Sequence, residues 1–229
     1  MKQVPYRMWV GYYLLLLSQQ DVHPKTILDV ACGTGSMAEL LAREGFQVEG
    51  IDVSAPMIAQ ARRKAKRKRL PLQYHVADAA EFDLGKRFDA AFSYFDSLNN
   101  IVEPERLQEA FRRIARHLSP GGSFIFDLNT EYAFENKMFD QKRLHANAKL
   151  RYQWEGHYDP KSRLIRVDMR FWLGDEEFEE THWQRAYRDQ DIRRMLLQAG
   201  FTQIQAFHSY TLEPTRPRSD RVHYACLLG

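Results

Sequence analysis

The chain has 229 residues, 44% of them hydrophobic and 13% aromatic, which is enough for one sizeable core and a small additional subdomain. A wholly disordered or fibrous chain is therefore excluded. The 33 lysines and arginines exceed the 30 acidic residues, but seven of the basic side chains lie within residues 62–69, called the basic segment below. The rest of the chain is mildly acidic, so the net charge of +3 does not predict phosphate binding over the whole surface.

The first apolar run, residues 8–17, resembles a signal peptide because it follows Lys2 and Arg7. It is too short to span a bilayer, and residues 18–21 after it lack the small residues of a cleavage site. We interpret the run as a buried first helix and predict no membrane contact. The two cysteines cannot form a disulfide framework, which favours a cytoplasmic location.

Short apolar runs alternate with helical stretches from residue 26 onward, which is typical of a parallel sheet covered by helices. The predicted strands are residues 26–31, 47–52, 72–76, 88–93 and 123–129. Helical spacing predicts helices at 36–44, 55–69 and 105–117, with stops at Gly45 and at Pro120-Gly121-Gly122. Right-handed crossovers then give an α/β fold with a doubly wound, Rossmann-like sheet.

The periodicity changes after residue 129, where apolar and polar residues alternate. Extended pieces at 150–154, 165–171 and 177–187 predict a small antiparallel β lid subdomain. A helix at 190–199 and extended segments at 202–208 and 221–228 complete the chain. We therefore predict one domain from residues 1–130 and 188–229, with residues 131–187 inserted as the lid.

A glycine-rich turn, Asp29-Val30-Ala31-Cys32-Gly33-Thr34-Gly35, follows the first predicted strand. Its glycines allow the backbone to approach a ligand at a helix N-terminus. The spacing Gly33-x-Gly35-x-x-Ala38 also fits a dinucleotide site. Asp29, however, would repel a pyrophosphate, whereas it suits a cofactor that carries an ammonium and a sulfonium group. The loop therefore favours S-adenosylmethionine over NAD.

Acidic residues also follow the next two predicted strands. Asp52 ends the second strand, where a carboxylate can accept hydrogen bonds from both ribose hydroxyls, and Asp78 follows the third, where it can accept one from the adenine amine. Met57, one turn into the next helix, can pack on the adenine face. A helix cap region, a loop acid and a core residue are the ordinary alternatives, but together the three positions mark one sheet edge.

The motifs along residues 26–129 resemble those of class I S-adenosylmethionine-dependent methyltransferases. They are Leu28-Asp29-Val30-Ala31-Cys32-Gly33-Thr34-Gly35, Gly50-Ile51-Asp52-Val53-Ser54, Ala77-Asp78-Ala79, Phe88-Asp89-Ala90-Ala91, Asp96-Ser97-Leu98-Asn99 and Leu118-Ser119-Pro120-Gly121-Gly122. Within this family the chain is similar to small-molecule enzymes with an antiparallel insert after the fifth strand. The resemblance implies a reversed last strand at 221–228 and an insert that lies over the active site.

The resemblance also implies a set of residues that contact the cofactor. They are Tyr13, Asp29, Ala31, Gly33, Gly35, Asp52, Val53, Met57, Asp78, Ala79 and Tyr94. Relatives often carry a Tyr-Asp pair in the first helix, where this chain has Tyr12-Tyr13. Contact from that helix therefore depends on Tyr13 or Tyr6.

In such enzymes the segment after the fourth strand approaches the acceptor. Here residues 93–100 lack the Asn/Asp-Pro-Pro-Tyr/Phe motif that holds planar amino groups, which disfavours adenine or glutamine amides as acceptors. Asn99 is the strongest candidate for acceptor contact, and Trp154 and His182 are candidates from the lid. The alternatives are a loop or cap hydrogen bond for Asn99 and sheet packing for the lid aromatics.

No metal site and no catalytic base are predicted. Asp96, Asp127 and Asn129 contain metal-ligand atoms, but acids at strand ends are commonly structural. The methyl group of a sulfonium is already activated, so in-line displacement chiefly needs a positioned nucleophile.

The leading hypothesis is an enzyme that moves a methyl group from S-adenosylmethionine to a nitrogen or oxygen of a small-molecule acceptor. The basic segment leaves an RNA- or protein-directed methyltransferase open, although a solvated helix end is the simpler interpretation. A noncatalytic cofactor-binding subunit is the third hypothesis. The oligomeric state is not predicted.

Overall fold

The structure, a computed structural model, describes residues 5–145, 148, 150–174 and 176–229. Its α-helices are Tyr6–Gln19 (α1), Ser36–Arg43 (α2), Ala55–Lys68 (α3), Pro104–Arg116 (α4), Glu131–Glu135 (α5) and Asp189–Gln198 (α6). Its strands are Thr26–Val30 (β1), Gln47–Asp52 (β2), Gln73–Val76 (β3), Phe88–Ser93 (β4), Leu118–Asn129 (β5), Gln141–Arg143 (β6), Leu150–Asp159 (β7), Leu164–Leu173 (β8), Glu176–Arg185 (β9), Phe201–His208 (β10) and Arg221–Leu228 (β11). A short 3-10 helix, Ser97–Asn100, follows β4.

Seven strands form the main sheet in the order β10-β11-β5-β4-β1-β2-β3. Strands β1 to β5 are parallel, and β11 is antiparallel to both β5 and β10. This order confirms the doubly wound α/β fold and the reversed last strand. The strand order changes direction between β1 and β4, and ligands of such sheets bind beyond the carboxyl ends of the strands at this point.

Helices cover both faces of the main sheet because its central strands are apolar on both sides. On one face, Phe111 of α4 and Ile192 of α6 pack with Phe124 and Phe126 of β5. On the other face, the core contains Ile125 of β5 together with the buried side chains of α1, α2 and α3. The two cores hold the carboxyl ends of the strands in fixed register.

The first helix is longer than predicted and is buried on one face. Tyr13 and Leu16 lie in the core, whereas Met8 and Leu15 are exposed. A helix on the outside of a sheet presents only one stripe to the core, so the prediction of a buried helix is correct for that stripe alone. Within the described residues, no helix combines the length and apolar character that crossing a membrane requires.

Strand β5 differs from the prediction at its start. Pro120-Gly121-Gly122 was predicted to break the chain before a strand at 123, but β5 already begins at Leu118. The pairing passes from Phe88↔Leu118 to Ala90↔Ser123, so the tripeptide forms an irregularity within the strand. Gly121 adopts a φ of +75°, which lets the chain bulge outward and then rejoin the sheet.

The predicted lid contains a four-stranded antiparallel sheet with the order β6-β7-β8-β9. Its three long strands match the three predicted extended pieces. The fourth strand, β6, was not predicted because its sequence, Gln-Lys-Arg, shows no alternation of apolar and polar residues. The short helix α5 was not predicted either. Ile165 and Val167 of β8 pack with Ala133 and Phe134 of α5, so the lid has a small core of its own.

Candidate functional site

The glycine loop after β1 turns through left-handed backbone conformations. Ala31, Gly33 and Gly35 have φ values of +60°, +54° and +73°. A Cβ atom at Gly35 would lie 2.3 Å from the Tyr74 hydroxyl oxygen on β3, so only glycine fits there. The Cys32 amide also donates to Ile51 O of β2 at 2.9 Å. The loop is therefore held tightly against the neighbouring strands.

Asp52 and Met57 both lie against this loop, and their predicted contacts with the cofactor stay predictions. Asp52 accepts hydrogen bonds from the amide of Gly33 at 2.7 Å and from the amide of Ser54 at 2.8 Å, which fixes its carboxylate at the sheet edge. The Met57 sulfur lies 3.7 Å from the position of a Cβ on Gly33. Met57 and Val53 are 47% and 71% exposed, so two apolar side chains beside the loop are available to a flat ring.

Asp29 lies almost fully buried behind the glycine loop. Its Oδ2 atom has no hydrogen-bond partner among the described residues. Burial and, to a smaller extent, the charge of Asp52 raise the pKa of Asp29 well above its ordinary value. A buried carboxyl oxygen without a donor is costly. The ammonium group of a methionyl moiety would supply that donor, so this position fits the predicted cofactor.

Tyr13 and Tyr94 come together beside Asp29. Burial and then the charge of Asp29 raise the pKa of Tyr13, and the rings of Tyr13 and Tyr94 lie 6.2 Å apart. Both hydroxyls are buried, and neither has a hydrogen-bond partner in the described part of the chain. Cofactor contact by Tyr13, in place of the Tyr-Asp pair of the relatives, stays a prediction.

Asp78 follows β3 as predicted, but the protein already uses its carboxylate. One oxygen binds Arg106 at 2.8 Å and the other accepts the amide of Ala80 at 2.8 Å. Adenine would have to share these oxygens with α4 and the loop. The geometry favours the structural alternative for Asp78, and Ala79 lies half-buried in the same loop. Adenine contact at both positions stays a prediction.

Two successive non-glycine residues after β4 adopt left-handed conformations, Phe95 with a φ of +69° and Asp96 with +48°. Such strain persists only where contacts stabilise it. Asp96 binds Arg221 of β11 at 2.8 Å and accepts the Gln184 amide of β9 at 2.8 Å. Its own amide donates to Asp127 of β5 at 3.1 Å. Arg221 also binds Asp127. We call these four side chains the Asp96–Asp127 cluster; they are Asp96, Asp127, Gln184 and Arg221.

The Asp96–Asp127 cluster was not predicted as a unit. Arg221 and Gln184 lie outside every recognised motif, and the only signal in the sequence was a single arginine at the start of the reversed strand. Arg221 forms ion pairs with both Asp96 and Asp127, the two acids that were considered as metal ligands. Over residues 5–145, 148, 150–174 and 176–229, no three His, Cys, Asp or Glu side chains are grouped as a metal site.

Asn99 is fully buried, and its side chain is engaged within the protein. Its amide nitrogen donates to Asn129 O at 3.1 Å and to Arg185 O at 2.8 Å, and its oxygen accepts the Asn129 amide at 3.0 Å. Asn99 therefore ties the segment after β4 to β5 and to the lid. This geometry favours the structural alternative over direct acceptor contact, which stays a prediction.

Trp154 and His182 share the face of the lid sheet that carries Gln184, because alternate residues of paired strands lie on the same side. Trp154 packs on Phe171 with a ring separation of 6.3 Å and belongs to the small core of the lid. His182 is exposed, and its Nε2 lies 3.3 Å from Glu180. Sheet packing describes Trp154 well, and His182 lies towards the rim; acceptor contact by either stays a prediction.

The basic segment is only partly a solvated helix end. Arg62 donates to Tyr74 O at 2.6 Å, and Lys64 donates to Thr34 O in the glycine loop at 3.0 Å and to Ser36 Oγ at 3.2 Å. Lys68 binds Glu39 of α2. The remaining basic side chains of the segment are exposed. Three of the seven basic side chains therefore bind β3, the glycine loop or α2 rather than solvent alone.

Comparisons with known proteins agree with this geometry. A family model described as a methyltransferase domain matches residues 27–122, which contain the glycine loop and strands β1 to β4. A protein provisionally named as a methyltransferase in Geobacillus sp. (strain WCH70) is 29% identical over 98% of this chain and 93% of its own length.

A crystal structure of an S-adenosylmethionine-dependent methyltransferase from Clostridium acetobutylicum has a TM-score of 0.90 at 25% identity and covers 100% of this chain and 94% of its own. The dTDP-3-amino-3,4,6-trideoxy-alpha-D-glucopyranose N,N-dimethyltransferase of Streptomyces venezuelae is 34% identical over 49% of this chain and 46% of its own.

Proposed function

Because the chain belongs to the class I S-adenosylmethionine-dependent methyltransferases, we propose that it methylates a nitrogen or oxygen of a small-molecule acceptor. The observation that carries this proposal is the position of the lid. Gln184 of β9 donates to Asp96, and Asn99 donates to the Arg185 carbonyl, so the end of the lid sheet is fixed at the carboxyl edge of the main sheet. A second sheet attached at this edge restricts access to it, which suits a small acceptor better than the surface of a macromolecule. The sugar methyltransferase relative supports the same class of acceptor.

Five residues would hold the cofactor. Asp52 would accept hydrogen bonds from the ribose, and Asp29 with Tyr13 would face the methionyl ammonium group. Met57 and Val53 would cover the adenine ring. When bound, S-adenosylmethionine supplies an activated methyl group on a sulfonium. The task of the protein is then to exclude water and to hold the nucleophile in line, which can lower a barrier by about 7–11 kcal/mol.

An RNA acceptor is less well supported by the structure. Arg62, Lys64 and Lys68 bind the protein itself, which reduces the free positive charge of the basic segment. Phosphate-dominated binding would need those charges and would weaken steeply with added salt. The two free cysteines, Cys32 and Cys226, support a cytoplasmic location, which we also propose.

The first experiment is calorimetric titration with S-adenosylhomocysteine, comparing wild type with Asp52→Ala and with Glu44→Ala. Glu44 is an exposed acid at the end of α2 and serves as the matched control. We expect saturable binding that Asp52→Ala weakens by about tenfold or more and that Glu44→Ala leaves unchanged. Equal binding by Asp52→Ala and wild type would remove Asp52 from the cofactor site.

The second experiment measures release of S-adenosylhomocysteine with panels of small amines and alcohols, with RNA and with protein fractions, at low and high salt. Salt-insensitive turnover of a small molecule supports the proposal. Turnover confined to RNA or protein would overturn it, and cofactor binding without turnover on any panel would favour a noncatalytic subunit.

A further inference from the structure

Two buried oxygens of the Asp96–Asp127 cluster accept no hydrogen bond within the described chain. Asp127 is fully buried; its Oδ2 binds Arg221 and the Asp96 amide, whereas its Oδ1 has no partner. Gln184 is 6% exposed and donates its amide nitrogen to Asp96, so its Oε1 is left without a partner. A buried oxygen without a hydrogen-bond donor destabilises the folded chain. Two in one cluster indicate that a hydrogen-bond donor arrives from outside the protein.

The charge of the cluster is negative. Two carboxylates share the single guanidinium of Arg221, which leaves one negative charge in excess. His223, the register partner of Asp127 on β11, adds no positive charge at neutral pH, because burial and then the charge of Arg221 lower its pKa to about 3. The surroundings therefore favour a ligand group that donates hydrogen bonds and carries or gains positive charge.

The cluster lies beside the predicted cofactor position. Asp29 pairs with Phe92 of β4, and Ser93 pairs with Phe126 of β5, so Asp29, Tyr94 and Asp127 line one face of three adjacent strands. Two strand spacings and a register offset of two residues separate the Cα atoms of Asp29 and Asp127, about 12 Å in all. This distance is comparable with the length of a methionyl chain, its methyl group and one nucleophilic atom.

We propose that the Asp96–Asp127 cluster binds a primary amino group of the acceptor, so that the enzyme methylates nitrogen. This inference rests on the proposed function and names its substrate class. A primary amine has two N–H hydrogens, which match the free oxygens of Asp127 and Gln184, and its lone pair is then directed at the methyl carbon. A hydroxyl group has only one hydrogen and would leave one of these oxygens without a partner.

The chemistry of the methyl transfer also favours nitrogen over oxygen as the acceptor atom. The acceptor first loses one ammonium proton to water, and the lone pair of the neutral amine then forms the N–C bond while the C–S bond breaks and its electron pair passes to sulfur. Positive charge thus moves from sulfur to nitrogen, and the product leaves as a methylammonium ion. The Asp127 carboxylate stabilises that charge as it forms. An alcohol would have to lose its only proton during attack, so its oxygen could not keep a hydrogen bond to either of the two oxygens.

The test uses two ligands and needs no acceptor. S-adenosylhomocysteine lacks the methyl group, whereas sinefungin carries a C–NH₃⁺ group where the sulfonium methyl stands. We expect the full-length wild-type protein to bind sinefungin about tenfold or more tightly than S-adenosylhomocysteine. Asp127→Asn should bring the affinity ratio close to one and change S-adenosylhomocysteine affinity by less than about twofold. Asp52→Ala should weaken both ligands and leave the ratio unchanged.

If Asp127→Asn leaves the ratio of sinefungin affinity to S-adenosylhomocysteine affinity unchanged, the proposal is overturned, because the carboxylate then does not face the reacting group. Should Asp127→Asn fail to fold, Gln184→Met carries the same test with a smaller expected drop, about threefold, and an unchanged ratio there also overturns it. Since no acceptor is involved, this result is independent of the turnover panels. Small-molecule turnover with an unchanged ratio would reject the amine site and keep the proposed function.

Discussion

The two halves of the proposed site, its cofactor side and its acceptor side, are built in different ways. On the cofactor side, Gly33, Gly35 and Asp52 come from one stretch of chain, and backbone conformation with amide hydrogen bonds fixes them. On the acceptor side, Asp96, Asp127, Gln184 and Arg221 come from four distant segments, and charged side chains hold them together. The cofactor side therefore depends on residues that can adopt the required backbone conformation. The acceptor side depends on charged side chains that pair only when the chain is folded.

The largest effect should come from Arg221→Gln, which leaves two buried carboxylates without their cation. Breaking a buried ion pair typically costs about 3–5 kcal/mol, so we expect the free energy of unfolding in urea to fall by that amount. Arg194→Gln, which removes an exposed helical pair with Asp191, should change it by less than about 0.5 kcal/mol.

Adding Asp127→Asn to Arg221→Gln should recover part of the lost stability, because one unpaired charge is removed. Where the folded variant is populated, its affinity for S-adenosylhomocysteine should stay near that of wild type. A cofactor affinity that falls with the loss of Arg221 would show that the two halves are not independent.

Gly35→Ala should damage the cofactor half through the backbone. The new Cβ would overlap the Tyr74 ring, and the residue would keep a left-handed φ, so we expect a loss of about 2–3 kcal/mol of stability and no measurable cofactor binding. Gly85→Ala is the matched control, since Gly85 has a φ of +64° with nothing within 4 Å of a Cβ. It should cost about 1 kcal/mol and leave binding intact. Equal losses in the two variants would contradict the role of Tyr74.

Asp29→Asn should stabilise the ligand-free protein while weakening its cofactor binding. The pKa of Asp29 is raised in the folded state, so the folded protein binds more protons than the unfolded chain. The stability of the wild type therefore falls as the pH rises from the ordinary pKa of an Asp towards the raised pKa of Asp29. We expect Asp29→Asn to gain about 1 kcal/mol over wild type at pH 8, and the gain to vanish below about pH 4, where Asp29 is protonated in both the folded and the unfolded chain. Urea unfolding at the two pH values measures this. A gain that grows on acidification would reverse the assigned sign.

The smallest effect should come from Lys64→Met, which removes a donor from the Thr34 carbonyl in the glycine loop. We expect S-adenosylhomocysteine affinity to fall by about threefold to tenfold with a stability change below about 1 kcal/mol. Arg63→Met, next to it on the exposed side of α3, is the control and should change neither. Identical affinities in the two variants would return the basic segment to a purely solvated role.

The sequence predicts the strands and the turn around the glycine loop well because their signals are local. Strands 47–52 and 88–93 have the same bounds in prediction and structure, since apolar runs and turn residues determine them. Gly33 and Asp52 meet because two parallel neighbouring strands end at one edge. The basic segment was understood only in part, because the carbonyl that Lys64 binds lies 30 residues earlier in the chain.

The acceptor half could not be predicted in the same way. The environment of Asn99 is set by the Arg185 carbonyl, whose position follows from tertiary packing rather than from spacing. The same holds on the cofactor side for Asp78, which binds Arg106. Arg221 looks like any polar residue at the start of a strand until β11 pairs with β5 and places it beside two acids. Charge pairing between distant segments leaves no periodic signal in a single sequence.

The lid is joined to the chain by one crossover between β5 and α6, and it has its own small core on α5. In evolutionary terms, this attachment separates two kinds of change. Under the proposed function, substitutions on the face of β9 that carries Gln184 alter which molecules are accepted, whereas the glycine loop, which admits only glycine at position 35, stays unchanged. A lineage could therefore keep one methyl donor for a long time while its lid diverges from one acceptor to another.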